Sequence, residues 1–109
     1  MYAQLTYFDG PRTPEQVAAA DFGTRERIQP AISKLGHHFR VYLLRRDDGS
    51  EVVVSVADTK EALLDAQKAI MSTELLPGQD PALLPGPDRI DLYPVLAAHE
   101  VNPAAGTGS

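Results

Sequence analysis

Apolar and polar positions along this chain fall into stretches that either alternate or recur at helical spacing. The clearest stretch is 39–57, which reads FRVYLLRR, then DDGS, then EVVVSVA. Two runs rich in β-branched residues flank an Asp-Gly, the pattern of a tight hairpin. With Asp48 and Gly49 as the two central turn residues, Arg46 is expected opposite Glu51, Leu44 opposite Val53, Tyr42 opposite Ser55 and Arg40 opposite Ala57. Alternation then predicts two faces. One is apolar, with Phe39, Val41 and Leu43 beside Val52, Val54 and Val56. The other is mixed, with Arg40, Tyr42 and Leu44 beside Val53, Ser55 and Ala57.

The flanking pattern supplies the remaining elements. YAQLTYF at 2–8 alternates as a strand, with Gln4, Thr6 and Phe8 on one face, and Asp9-Gly10-Pro11 turns the chain. Thr13, Pro14 and Gln16 open a helix as N-cap, first-turn proline and capping-box partner. Val17, Ala20, Thr24, Ile28 and Leu35 carry it at helical spacing, with a kink expected at Pro30 and an end at Gly36. A second helix is expected to start at Asp58, with Glu61 reaching back, and to run to about Leu76. Residues 77–88 hold four prolines and two glycines and read as a loop, with Leu83 and Leu84 sealing the end of the core or forming a lid. IDLYPVL at 90–96 reads as a last strand, and its Pro94 places it at a sheet edge.

The order is β-α-β-β-α-β, the ferredoxin-like α+β pattern, with one four-stranded antiparallel sheet of order 4-1-3-2 and both helices on one face. The domain spans 1–101, and 102–109 is a polar tail. The other sheet face is expected to carry Gln4, Thr6, Phe8, Arg40, Tyr42, Leu44, Val53, Ser55, Asp91, Tyr93 and Val95. Too apolar to stay wet, that face predicts a homodimer.

Composition narrows the function classes. The chain has 109 residues and a formal net charge of −5, which argues against a nucleic-acid binder. It has no cysteine, so disulfides and thiolate chemistry are excluded. No apolar run is long enough to cross a bilayer and no leader pattern opens the chain, so no membrane partner and cytoplasmic residence are expected. Phosphate loops, dinucleotide glycine motifs, HExxH and CxxC are all missing from the sequence.

YAQLTYFDG, RERIQPAISKL, VYLLRRDDGSEVVVSVADTKEAL and IDLYPVLAAHEV together resemble the antibiotic biosynthesis monooxygenase-like proteins of the dimeric α+β barrel superfamily. The resemblance covers 2–101 and implies a homodimer whose sheets close into a barrel, with a pocket between sheet and helices in each subunit. It also implies cofactor-free oxidation of a small aromatic or hydrophobic metabolite by dioxygen. The strand-three position where such proteins commonly carry Trp is Ala57 here. A haem-degrading branch uses Asn on the first strand and His on the second helix. Gln4 and Thr6 stand on that strand here, and 59–76 contains no His.

Arg40 and Tyr42 are candidate catalytic residues, since a guanidinium and a phenol stabilise developing negative charge. The same pair also fits a dimer contact. His38 is the candidate base, because an imidazole titrates near neutrality. Gln4, Thr6, Ser55 and Tyr93 are candidate ligand-binding residues. His37 and His38 are adjacent, point oppositely in a strand, and lack companions for a metal site. Arg45, Arg46, Asp47 and Asp48 read as a solvated turn. A non-catalytic dimeric ligand-binding or structural module is the alternative function.

Overall fold

A computed structural model describes residues 1–102; of the expected tail, all but Asn102 lies outside the described residues. The elements are β1 (Tyr2–Phe8), α1 (Pro14–Gly23), a π-helical segment (Thr24–Ile28), α2 (Gln29–Ser33), β2 (Phe39–Arg45), β3 (Glu51–Ala57), α3 (Lys60–Met71), a 3₁₀ turn (Pro81–Leu83) and β4 (Arg89–Pro94). The sheet is antiparallel in the order β2-β3-β1-β4, the ferredoxin-like order expected, with the Pro94 strand at an edge. Pro94 is the last residue of β4, where its missing N–H interrupts no ladder.

The helix starts form by local chemistry. Gln16 N donates to Thr13 Oγ1 (3.1 Å) and Thr13 N donates to Gln16 Oε1 (2.9 Å), a complete capping box. At α3 the cap is Thr59, whose hydroxyl accepts from Ala62 N (3.1 Å), rather than Asp58. This helix stops at Met71, short of the expected end. Ser72 Oγ donates to the Lys68 carbonyl (2.8 Å) and Thr73 Oγ1 to the Ile70 carbonyl (2.7 Å), so side chains take up the last-turn acceptors. Instead of a kink at Pro30, the first helix widens just before it. The Gln29 N–H reaches back to the Thr24 carbonyl, five residues away. A wider turn there suits a proline that offers no N–H and crowds the preceding turn.

The hairpin differs from the expected form. Arg46 N donates to Ser50 O (2.9 Å) and Gly49 N to Arg46 O (3.0 Å), which leaves three loop residues, 47–49. Gly49 sits at φ 87°, as a type I turn closed by a glycine bulge requires. The extra loop residue moves the register by one. Leu44 lies opposite Val52, Tyr42 opposite Val54, Arg40 opposite Val56, and Arg45 opposite Glu51. A one-residue shift exchanges the faces of one strand against the other. Arg40, Tyr42 and Leu44 therefore share a face with Val52, Val54 and Val56, not with Val53, Ser55 and Ala57. Through β1 and β4 that face continues to Ala3, Leu5, Tyr7, Arg89, Asp91 and Tyr93.

The opposite face packs on the helices. Its core is Ala57, Ala62 and Leu63, with Tyr2, Phe39 and Leu92 against them. Leu63 is the one large side chain among the described residues that is fully enclosed. The helix layer rests on β1 and β3 and leaves β2 at the margin. Val41 and Leu43, on the helix-facing side of β2, are 55% and 49% exposed, so that flank of the sheet lacks a roof.

Gly49 also lies where a Cβ would come 2.7 Å from the Arg12 carbonyl, whereas Gly36, at φ 74°, has nothing within 4 Å. Both Gly→Ala substitutions carry a left-handed penalty of about 1 kcal/mol. Gly49→Ala adds a backbone clash and is expected to cost at least about twice as much in urea denaturation. Equal losses would show that the turn does not press on residues 10–12.

Candidate functional site

Two depressions border the sheet. One, of ≈ 300 Å³, opens at the start of β2 between Gln29, Ile32 and Ser33 of α2 and His37, His38, Phe39 and Val41. The other, of ≈ 600 Å³, is an open basin at the turn end of the sheet, bordered by Tyr7, Asp9, Leu44, Arg45, Glu51 and Arg89 among others.

The first depression leads onto the helix-facing surface of the sheet. There the register aligns Val41, Ser55, Gln4 and Leu92 in one row across the four strands, and Leu43, Val53, Thr6 and Ile90 in the next. Gln4, Thr6 and Ser55 are each half-buried. No side-chain hydrogen bond ties any of the three to another described residue, and none of their polar atoms is sealed from solvent without a partner. None of the three lines the depression itself; a slot continuing from its apolar mouth along these rows to those groups would have the ordinary makeup of a small-molecule site. His38 borders its entrance, and His37 meets Phe39 edge-on with ring centroids 6.1 Å apart. His37 Nε2 lies 3.6 Å from Asp65 Oδ2 in an exposed pairing.

The structure thus divides the residues expected to form one site. Gln4, Thr6 and Ser55 face the helix layer, where His38 borders the mouth. Arg40, Tyr42 and Tyr93 lie on the opposite, open surface: β2 and β3 are offset by one residue from the expected pairing, and β4 sets Tyr93 opposite Ala3 and Leu92 opposite Gln4. Tyr42 and Tyr93 are 48% and 53% exposed there, so a single copy of the chain encloses neither. Asp91 shares that face and accepts from Arg89 Nε (3.1 Å), while the Arg89 guanidinium stacks 4.0 Å above the Tyr7 ring. Contact with Tyr7 and Asp91 raises the Arg89 pKa above its ordinary value.

The second depression is underlain by an ion network. Glu51, buried at 8% exposure, accepts from Arg12 Nη2 (2.9 Å) and Arg45 Nε (2.8 Å). Arg45 Nη2 continues to Asp21 Oδ1 of α1 (2.6 Å). Hydrogen bonds from Arg45 to Asp21 first, and then to Glu51, raise the Arg45 pKa. Arg12 Nε donates to the Gly49 carbonyl (2.7 Å), so the network clamps 9–12 onto the hairpin loop. Arg45 is therefore a helix-to-sheet tie and not part of a solvated turn. Sequence reasoning missed it by placing Arg46, not Arg45, opposite Glu51. Asp48 caps the loop, accepting from Ser50 Oγ (2.7 Å) and Ser50 N (2.9 Å), and these bonds hold its carboxyl below the usual range.

Leu83 and Leu84 of the proline-rich loop are half-buried, and the 3₁₀ turn packs on α1. That placement matches sealing leucines better than a free flap. Among the described residues no group of three or more His, Asp or Glu side chains is arranged to hold a metal ion, and no helix is long and apolar enough to cross a membrane.

Removing the Glu51 charge leaves Arg12, whose side chain is 9% exposed, without its carboxylate. Glu51→Gln is expected to destabilise the fold by about 3 kcal/mol in chemical denaturation. A loss below about 0.5 kcal/mol would place the network among weak surface pairs. No protein-family model matches the chain, and no curated protein matches it either.

Proposed function

We propose that the chain is a homodimeric module that binds a small aromatic or hydrophobic metabolite in the slot between the helix-facing sheet surface and α2. The observation that carries this reading is the row Val41–Ser55–Gln4. It begins at an uncovered apolar edge and ends on half-buried polar groups with no internal partner. Phe39, Val41 and Ile32 supply an apolar wall for a flat ring, and Ser55, Gln4 and Thr6 orient its oxygen substituents.

The dimer half of the proposal rests on the opposite face. Val52, Val54, Val56, Ala3 and Leu5 form an apolar strip on the two central strands, flanked by Tyr42, Leu44 and Tyr93. Among the described residues no helix covers it. A second copy placed about a two-fold axis presents the same strip in return. Arg40 and Tyr42 then act in subunit contact, where Arg and Tyr commonly anchor interfaces.

The catalytic form of the proposal is the activity of the antibiotic biosynthesis monooxygenase-like proteins that the sequence resembles: cofactor-free oxidation of the bound ring by dioxygen. In this form His38, which lines the depression at the slot mouth, accepts a proton from a phenolic substrate.

Native mass spectrometry of gently purified protein is expected to show a dimer carrying a co-purified small molecule. Ser55→Leu, which fills the middle of the row, is expected to lose the ligand and keep the dimer. Retention of the ligand by that variant would contradict the slot. Oxygen uptake on the released compound, lost in His38→Ala, would establish the oxygenase. Ligand binding without uptake would leave the binding module.

A further inference from the structure

Two extended pieces of this chain lack a partner: the outer edge of β2 and the segment that follows β4. β2 stands at the end of the sheet, so one row of its backbone N–H and C=O groups meets no other strand. Val41, Tyr42, Leu43 and Leu44 follow one another along it, and each is about half exposed. Edge strands that stay unpaired in water are blunted by proline, by a bulge or by charge. Between Arg40 and Arg45 β2 has none of these, and it pairs with β3 at all seven positions. The opposite edge, β4, carries Arg89, Asp91 and Pro94.

Beyond Pro94 the chain leaves the sheet. Val95 N donates to the Met1 carbonyl (2.9 Å), and the backbone of 96–101 makes no hydrogen bond to the other described residues. The segment forms neither helix nor strand. Leu96, at 93%, and Val101, at 79%, are the most exposed large apolar residues among those described. The radius of gyration, 15.5 Å, exceeds the about 13 Å of a compact chain of this length, in keeping with a projecting segment.

Residues 96–101 do not reach the β2 edge of their own copy. β4 and β2 are the two outer strands, so a strand added outside β2 lies four spacings, or about 19 Å, from β4. Six extended residues span about 20 Å, and the crossing leaves none to pair. A second copy removes that limit. Sheets packed face to face at near right angles have corners where a strand passes from one to the other. Phe39, Ala57, Tyr2 and Pro94 mark one end of the sheet. With the open faces together and one of the two diagonal two-fold axes, the Pro94 end of β4 meets the Arg45 end of the partner's β2. The segment then runs antiparallel to that strand.

We propose that residues 96–101 of each copy add a fifth strand to the β2 edge of the other. The proposal rests on the dimer reading of the open face and names the segment that locks it. Arg40 forms no ion pair among the described residues. Setting Glu100 opposite Arg40 gives it one, and places Ala98 opposite Tyr42, Ala97 opposite Leu43 and Leu96 opposite Leu44. Two small residues then meet two large ones, and the added backbone fills the free edge.

The test begins with sedimentation equilibrium of the full chain and of chains ending at Asn102 and at Val95. The chain ending at Val95 is expected to show a dimer dissociation constant at least about tenfold above that of the chain ending at Asn102. An unchanged constant would overturn the arm and leave the dimer. A monomeric full chain would overturn both. Disulfide formation reads the register, since the chain has no cysteine of its own. Full-length Leu43→Cys and Ala97→Cys chains, mixed and oxidised, are expected to couple to each other in preference to themselves. Preferential self-coupling of Leu43→Cys would mean that two β2 edges pair with each other, and would overturn the proposal. Absence of the mixed disulfide would overturn it as well.

Discussion

The closing of the β2–β3 hairpin through Arg46, Ser50 and a left-handed Gly49 is the constraint on which the remaining structure rests. Three loop residues, in place of two, decide which β3 residue faces each β2 residue. That decision spreads across the sheet, because β1 pairs with β3 and β4 pairs with β1. The loop is held from outside as well. Arg12 N donates to Asp48 O (2.8 Å), Arg12 Nε to Gly49 O (2.7 Å), and Arg12 Nη2 reaches the buried Glu51. The turn, the segment after β1 and the start of β3 thus form one assembly, and Arg45 connects it to α1 through Asp21.

The two sheet surfaces differ in character as a consequence. One accepts the helices over β1 and β3 and leaves its β2 margin open, with Val41 leading to Ser55 and Gln4. The other is an apolar strip with a cationic and phenolic fringe. A chain with so few fully enclosed large side chains gains from covering that strip, since burial of apolar area is the main favourable term in folding and association. In the proposed function, dimerisation and ligand uptake fall on opposite sides of a single sheet, so substitutions on one side are expected to be separable from effects on the other.

Local signals in the sequence carried much of the fold. Thr13, Pro14 and Gln16 announce their capping box because its partners lie three residues apart. Pro94 marks an edge strand because a missing N–H is a property of the residue itself. The element order and the sheet order follow from such signals. The register did not, because Asp-Gly serves a two-residue turn and, with the glycine at the bulge, a three-residue loop equally well. Pairing of Arg45 with Glu51 distinguishes the two forms, and it depends on Arg12 and Asp21 arriving from elsewhere in the chain. Hence Gln4, Thr6 and Ser55 were correctly grouped together but grouped with Arg40, Tyr42 and Tyr93, which lie across the sheet.

The measurement that most directly tests this division is light scattering on Leu44→Asp and Val41→Asp beside the parent chain. Both residues lie on edge strand β2 and are about equally exposed, at 54% and 55%, so neither substitution buries a charge in the folded monomer. The parent is predicted to scatter at twice the 11.8 kDa chain mass at micromolar concentration. Leu44→Asp, on the open face, is predicted to give a monomer, and Val41→Asp, on the helix side, to remain a dimer. A monomeric parent, or dissociation by Val41→Asp and not by Leu44→Asp, would contradict the assignment of the two faces.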